Sequence, residues 1–158
     1  MRIPTILLAA GAIAIAAPAA ALGLGRSAPA PAAPPAKTYA VKMLNRGAAG
    51  MMVFESSILR IKPGESVTFQ PNDMGHNAES IPGMVPAGAQ PFKGQMNKPL
   101  TVTFTKPGVY GFRCAPHVSM GMVGVVVVGT PVNLAQARAV SLPGRAKQVM
   151  TGLLAGVH

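Results

Sequence analysis

The residues best suited to chemistry are concentrated in one short segment, residues 110–122. This segment holds the only cysteine of the chain, Cys114, together with His117, Met120 and Met122. Strand-like residues lead into the segment and follow it, so we expect a thiol, an imidazole and a thioether on one loop between two paired strands. Soft sulfur combined with imidazole suits a copper ion that cycles between Cu(I) and Cu(II).

An electron-transfer copper site needs a second imidazole, because its ligands are two histidines, one cysteine and a weakly bound methionine. His76 can supply it, since it lies in a loop beyond a strand-like segment, whereas His158 is the last residue. The methionine ligand has two candidates, Met120 and Met122. Most methionines fill hydrophobic cores, and spacing alone leaves both candidates open.

Three other interpretations compete with an electron-transfer site. Cys114 could be an inert buried thiol, although the nearby histidine and methionines favour a metal ligand. A copper-delivery protein that holds Cu(I) more often uses exposed sites rich in methionine and histidine. A multicopper enzyme needs further histidine clusters, and this chain has three histidines in all. Since the expected ligand set leaves no open position for a substrate, we expect no catalytic residues and no enzyme.

The composition limits the choice of partners. The chain has 158 residues, a net charge of +10 and only 11% charged residues. Its positive residues are scattered, whereas nucleic-acid binding needs clusters that follow the phosphates. A basic surface that docks an acidic protein partner is therefore the better interpretation, with no nucleic acid involved. A single cysteine excludes an intrachain disulfide, and in an exported chain it indicates a metal ligand, a reactive thiol or intermolecular pairing.

The N-terminal residues have the features of a secretory signal, which we assign to residues 1–21. Arg2 supplies the positive start, and a long apolar run follows it. A retained membrane anchor is the alternative, since the uncharged run extends to Gly25. Residues 22–36 read as a linker rich in proline and alanine, so the folded domain is expected over residues 37–158. The signal predicts a periplasmic protein that is free of the membrane after cleavage.

Short strand-like segments separated by glycine and proline turns dominate the folded domain, which predicts an all-β sandwich or barrel. The strand signals lie at residues 39–44, 53–61, 66–70, 100–105, 109–114 and 123–128. Residues 77–98 are expected to form an irregular loop with at most short strands. From about residue 132 the pattern becomes helical, with one helix over residues 132–140 capped by Asn133 and a second that begins near Pro143. The apolar stripe of the second helix comprises Ala146, Val149, Met150, Leu153 and Leu154.

Several segments closely resemble the pseudoazurin family of small blue copper proteins, a family within the cupredoxins. They are residues 43–55, 73–80, 106–110 and 114–122. The two C-terminal helices fit as well, and the resemblance extends from Lys37 to about Leu154. It implies a Greek-key β-sandwich with the copper ligands His76, Cys114, His117 and Met122. In the related amicyanins the methionine ligand comes six residues after the cysteine, which here would be Met120.

The resemblance also implies a function and a set of partners. Pseudoazurins carry single electrons in the periplasm, typically to copper nitrite reductase and other denitrification reductases. We therefore expect an acceptor of that kind and a cytochrome-type donor, each with an acidic docking face. The protein is expected to bind one copper ion and to act as a monomer.

Residues around the site are expected to tune the copper and to dock the partner. The tuning residues are Asn45, Met52, Asn77 and Pro116, of which Met52 matches a family position that packs beside the copper. His117 is the expected electron port, in an apolar patch that includes Met120. The basic residues that match docking positions of the family are Arg46, Lys93 and Arg113, with Lys98 and Lys42 as further candidates. Met74 departs from the family, which usually has lysine there.

Overall fold

The computed structural model describes residues 36–158, so the predicted signal and nearly all of the predicted linker lie outside the described residues. The eight strands are β1 (Thr38–Gly47), β2 (Gly50–Glu55), β3 (Ile58–Ile61), β4 (Ser66–Pro71), β5 (Glu79–Ser80), β6 (Leu100–Thr103), β7 (Gly108–Arg113) and β8 (Val123–Val128). A 3-10 turn covers Val118–Met120, and two helices follow β8, α1 (Leu134–Ala139) and α2 (Arg145–Ala155). Irregular chain joins β5 to β6, as the sequence predicts.

The strands form two four-stranded sheets, with the orders β2-β1-β4-β6 and β3-β8-β7-β5. Each sheet has one parallel pair, β1 with β4 and β3 with β8, and its other pairs are antiparallel. The chain crosses repeatedly from one sheet to the other between β2 and β7, which produces Greek-key connectivity. The predicted all-β sandwich with two C-terminal helices is confirmed.

Aromatic rings join the two sheets across the core. In β4, Val67 and Phe69 are fully buried, whereas Thr68 between them faces outward and contacts the hydroxyl of Thr101 at 2.8 Å. This alternation follows from the two-residue period of a strand with one buried face. The ring of Phe112 in the second sheet lies 4.9 Å from the ring of Phe69 in the first, in an edge-to-face arrangement. The core therefore fixes the register of both sheets, and with it the ends that carry the ligand loops.

The strand signal at residues 53–61 is divided in the structure into β2 and β3. Ser56 has a φ of 69°, a left-handed conformation that interrupts the strand. The break moves the chain from the edge of the first sheet to the edge of the second, where Ile58 pairs with Val125. A single strand through this region was therefore a wrong prediction, because β-forming composition does not reveal where a strand changes sheets.

Asn133 occupies the N-cap position of α1 but does not cap the helix with its side chain. Its amide instead accepts a hydrogen bond from the N–H of Val109 at 2.7 Å and donates one to the carbonyl oxygen of Val109 at 2.9 Å. Val109 pairs with Val127 on its other side, and β5 ends opposite Phe112. The N–H and carbonyl group of Val109 therefore have no partner in a neighbouring strand on the β5 side. The predicted N-cap position is confirmed, but the side chain completes the sheet and does not cap the helix.

We expect Asn133→Ala to lower the free energy of unfolding by about 1–3 kcal/mol, because it leaves buried backbone groups of Val109 without partners. Urea unfolding of the apoprotein measures the effect. Gln136→Ala, in the same helix, removes an exposed hydrogen bond to the carbonyl oxygen of Gly83 and should cost less than about 0.5 kcal/mol. Equal stability of the two variants would contradict this role of Asn133.

Helix α2 packs against β8 and supports the loop that carries the 3-10 turn. Of the predicted apolar stripe, Ala146, Met150 and Leu154 are buried, while the flanking Val149 and Leu153 pack against the same cluster. The helix begins at Arg145, slightly later than predicted, after Gly144 adopts a φ of 54° close to the carbonyl of Ser119. Within residues 36–158, neither helix combines the length and the apolar character needed to cross a membrane.

Candidate metal centre

Backbone hydrogen bonds fold the loop after β7 into a compact turn. The N–H of Cys114 donates to the carbonyl oxygen of Met122 at 3.0 Å, and the N–H of Met122 donates to the carbonyl oxygen of His117 at 3.2 Å. The N–H of His117 donates to the carbonyl oxygen of Cys114 at 3.3 Å. The loop therefore brings the imidazole of His117 back beside the thiol at the end of β7.

His76 reaches the same place from the loop after β4, where Asn97 holds it. The Asn97 side-chain oxygen accepts hydrogen bonds from the N–H groups of Gly75 at 2.6 Å and His76 at 3.3 Å. The N–H of Asn97 donates to the carbonyl oxygen of His76 at 2.7 Å. Asn97 has a φ of 60°, a left-handed conformation that asparagine tolerates better than most residues. Sequence reasoning missed Asn97, and an asparagine in a turn before a proline was its only signal.

Three ligand atoms from these loops form a small triangle. The sulfur of Cys114 lies 3.7 Å from Nδ1 of His76 and 3.5 Å from Nδ1 of His117, and the two Nδ1 atoms are 3.2 Å apart. A triangle with these edges has a circumradius of about 2.0 Å, close to the length of a metal–imidazole bond. The three side chains therefore fit one metal ion without rearrangement.

A hydrogen bond to Asn45 selects the tautomer that such a site needs. Nε2 of His76 lies 3.0 Å from Oδ1 of Asn45. An amide oxygen only accepts, so Nε2 carries the proton and the lone pair of Nδ1 faces Cys114 and His117. Asn45 is itself held by Asp73, whose carboxylate accepts a hydrogen bond from the Asn45 N–H at 2.7 Å. The predicted contact of Asn45 with the site is present in the structure, and Asp73 is an additional contact that sequence reasoning missed.

Asn77 ties the two ligand loops together. Its Oδ1 accepts a hydrogen bond from the N–H of Ala115 at 2.9 Å, and its Nδ2 donates to the carbonyl oxygen of Gly94 at 3.3 Å. Asn77, which follows His76, therefore holds Ala115, which follows Cys114, and such outer contacts are common around metal sites.

Burial dominates the electrostatics of the ligands. It raises the pKa of the Cys114 thiol, against the smaller lowering effect of the N–H groups of Asn77 and His117. Burial also lowers the pKa of His76, helped by His117 and opposed by Asp73. Neutral imidazole is the form that binds metal, whereas the thiol must lose its proton. Metal binding by this protein therefore releases the thiol proton.

The two candidate methionine ligands differ sharply in burial. Met122 is fully buried in the core cluster that contains Cys114, and its backbone contacts both Cys114 and His117. Met120 lies at the end of the 3-10 turn and keeps 46% of its surface exposed. The structure therefore places Met122 in the core next to Cys114 and Met120 on the surface.

The site opens to the surface on the side of His117. His76 and Cys114 are fully buried, whereas His117 is partly exposed beside the exposed Pro116. Met52 is partly buried against the core that contains Cys114. Met52 adopts a strained backbone conformation in β2, with a φ of 50°. Its neighbours Met51 and Val53 pair with Arg46 and Leu44 in β1, so Met52 lies opposite Asn45.

The predicted docking cations fall into two groups. Arg46 and Lys98 are exposed, and no ion pair involving either is found among residues 36–158. Lys93 and Arg113 both face Glu79, a buried acid that sequence reasoning did not single out. Lys42 pairs with Glu55 at 2.8 Å on the exposed face of the first sheet. The five candidate docking cations thus differ in how freely they can meet a partner.

We expect Asn45→Ala to weaken copper binding by about 10–100-fold, because it removes the partner that orients His76. Competition with a chelator of known affinity measures the change. Asn72→Ala is the matched control. Asn72 is an exposed asparagine in the loop that carries His76, and its backbone N–H donates to the carbonyl oxygen of Met43. Equal copper affinity in both variants would show that the hydrogen bond is dispensable.

A two-sheet Greek-key sandwich that brings one cysteine and two histidines within 4.8 Å of one another defines the cupredoxin class of copper proteins. Residues 41–129 match the model of the copper-binding plastocyanin/azurin family. The pseudoazurin of Paracoccus pantotrophus is 45% identical over 129 residues, which cover 80% of this chain and 89% of the relative.

Solved structures agree with the sequence comparison. The crystal structure of native pseudoazurin from Hyphomicrobium denitrificans matches with a TM-score of 0.74 and 40% identity, covering 77% of this chain and 98% of that one. Pseudoazurin from Methylobacterium extorquens matches with a TM-score of 0.73 and 47% identity, covering 75% and 98%. The chain belongs to the plastocyanin/azurin family and, within it, to the pseudoazurins. It is a copper electron carrier and not an enzyme, which confirms the interpretation of its sequence.

Proposed function

We propose that this protein is a periplasmic one-electron carrier whose copper is held by His76, Cys114, His117 and Met122. The observation that carries the ligand assignment is the triangle of Cys114 sulfur and two Nδ1 atoms, with edges of 3.2–3.7 Å. Burial favours Met122 over Met120 as the fourth ligand. When bound, copper supplies the change between Cu(I) and Cu(II) that stores the electron, at a potential tuned by its axial ligand.

The protein holds the ligands in place so that electron transfer requires little rearrangement. Asn45 fixes the ring of His76, Asn97 fixes its backbone, and Asn77 fixes the loop after Cys114. The thiolate and both imidazoles already face one point, so the site does not have to form when the electron arrives. Burial of Cys114 and His76 excludes water and leaves His117 as the route to the surface.

The exposed surface around His117 suits transient docking of another redox protein. Pro116 and Met120 are exposed beside the histidine, and Met74 is exposed in the loop that precedes His76. Gly75, next to Met74, is close to the His117 ring, since a side-chain carbon there would lie 3.9 Å from its Cε1. The absence of a side chain at Gly75 keeps a partner's approach to the imidazole short. We propose that this apolar surface, together with Arg46, Lys93 and Lys98, meets the acidic face of the partner.

The proposed partners follow from the family. We propose that the acceptor is a denitrification reductase such as copper nitrite reductase, that the donor is of the cytochrome type, and that the carrier works as a monomer. The secretory features of residues 1–21 support the periplasm as the site of action, with the signal removed and residues 22–36 as a linker.

The rate of electron transfer to copper nitrite reductase should fall at least about tenfold between low and high ionic strength, because screening removes the attraction between basic and acidic faces. Stopped-flow mixing of the reduced protein with the oxidised reductase measures this rate. Lys98→Gln should lower the rate at low salt and flatten its salt dependence. Lys106→Gln is the control, since Lys106 lies in the turn before β7, at the end of that strand away from Cys114. A rate that is independent of salt would contradict the docking proposal.

A further inference from the structure

Glu79 is a buried acid at the edge of the copper site, with only 7% of its surface exposed. Its Oε1 accepts a hydrogen bond from Nε of Arg113 at 2.9 Å and lies 2.9 Å from Nη2 of the same guanidinium. Its other oxygen lies 3.9 Å from the Nζ of Lys93, whose side chain is 80% exposed. The buried Glu79 thus forms a close pair with Arg113, whose side chain is partly exposed, while Lys93 remains largely in solvent.

The pair spans the two elements that carry the ligands. Glu79 lies three residues after His76, and Arg113 immediately precedes Cys114. In the sheet, Glu79 and Arg113 are direct cross-strand partners of β5 and β7. Burying a carboxylate is costly even when it is paired, so a close charge pair of this kind is weak evidence for a purely stabilising role.

The charge of Glu79 acts on the sulfur of the site. Arg113 immediately precedes Cys114, and the sheet holds the Glu79 carboxylate against Arg113, so the carboxylate disfavours additional negative charge at that sulfur. Reduction adds one electron to the site, which makes the reduced form more negative by one charge. Buried and partly buried charges are screened much less than exposed ones, so the Glu79 carboxylate and the Arg113 guanidinium act on this difference.

We propose that the charges of Glu79 and Arg113 tune the reduction potential of the copper site in opposite directions. The Glu79 carboxylate favours the oxidised form and lowers the potential, whereas the Arg113 guanidinium favours the reduced form and raises it. Because the two groups are paired, each offsets much of the other. Arg113, for which the family resemblance implies a docking role, acts in this account mainly through the metal and not through the partner.

Redox titration of the copper-loaded protein, followed by its visible absorption at pH 8, tests the proposal without any partner protein. We expect Glu79→Gln to raise the midpoint potential and Arg113→Gln to lower it. The double variant Glu79→Gln/Arg113→Gln should return close to the wild-type potential. Loosened packing would not produce shifts of opposite sign that cancel in combination.

Glu55→Gln is the matched control, because it removes the same charge from an exposed ion pair with Lys42 and should leave the potential nearly unchanged. If Arg113→Gln does not fold, Arg113→Lys keeps the charge and should keep the potential within the range of the control, even though the two-point contact is lost. Shifts of the same sign in both single variants, or a shift in Glu79→Gln no larger than in Glu55→Gln, would overturn the proposal. Since the titration uses no acceptor, failure of the docking proposal would not affect this result.

Discussion

Replacing Cys114 with alanine is expected to abolish the intense absorption of the oxidised copper protein and to weaken copper binding by more than about 100-fold. The reason is that the thiolate is the only soft anionic ligand in the triangle with His76 and His117. Loss of an outer contact already costs about 10–100-fold in metal affinity, so loss of a ligand should cost more. Visible spectroscopy and chelator competition measure the two effects.

A fold defect is separated from a ligand defect by a second substitution. Cys114→Ser keeps nearly the volume of the side chain but replaces the soft sulfur with a hard oxygen. Both variants should unfold in urea with a free energy within about 2 kcal/mol of the wild-type apoprotein, because little buried volume is lost. A blue, redox-active Cys114→Ser protein would contradict the assignment of the thiolate as the copper ligand.

Met122→Leu is expected to raise the reduction potential by at least about 59 mV, a tenfold change in a one-electron equilibrium. Removing the thioether takes away an electron donor that supports Cu(II), while leucine keeps the volume of a fully buried side chain. The apoprotein should therefore lose less than about 1.5 kcal/mol of stability. A redox titration of the copper-loaded variant measures the shift.

Met120→Leu is the counterpart that distinguishes the two methionines. Met120 is 46% exposed, so its substitution should leave the potential close to that of the wild type. If Met120→Leu shifted the potential and Met122→Leu did not, the ligand assignment would be reversed, as in the amicyanin-like alternative. If Met120→Leu changed the rate of electron transfer to a partner protein without changing the potential, it would indicate a role of Met120 in docking.

The candidate ligands could be picked out from sequence because residue type carries most of their chemistry, and the structure brings His76, Cys114 and His117 together. Cys114 is the only thiol, His117 follows it within one turn, and the strands on both sides are strongly patterned. His76 was found because few histidines exist to choose from. Burial, which the sequence does not show directly, separates Met120 from Met122.

The supporting contacts were harder to predict, because they join residues that are distant along the chain. Asn97 binds the backbone of His76 from 21 residues away, and its only local signal is a turn-forming asparagine shortly before a proline. Glu79 looks like an ordinary polar residue after the His76 motif until the sheet pairs it with Arg113. Asn133 appeared to be a helix cap because it precedes a helix, yet tertiary structure gives its amide to Val109.

A visible spectrum of the purified protein loaded with Cu(II), recorded before and after ascorbate, tests the central claim most directly. We predict an intense blue band from thiolate-to-copper charge transfer that bleaches on reduction and returns on reoxidation. This result would follow from Cys114, His76 and His117 holding one copper ion as their geometry indicates. A colourless protein, or one that binds Cu(I) but is never blue with Cu(II), would contradict the electron-carrier account and favour copper delivery.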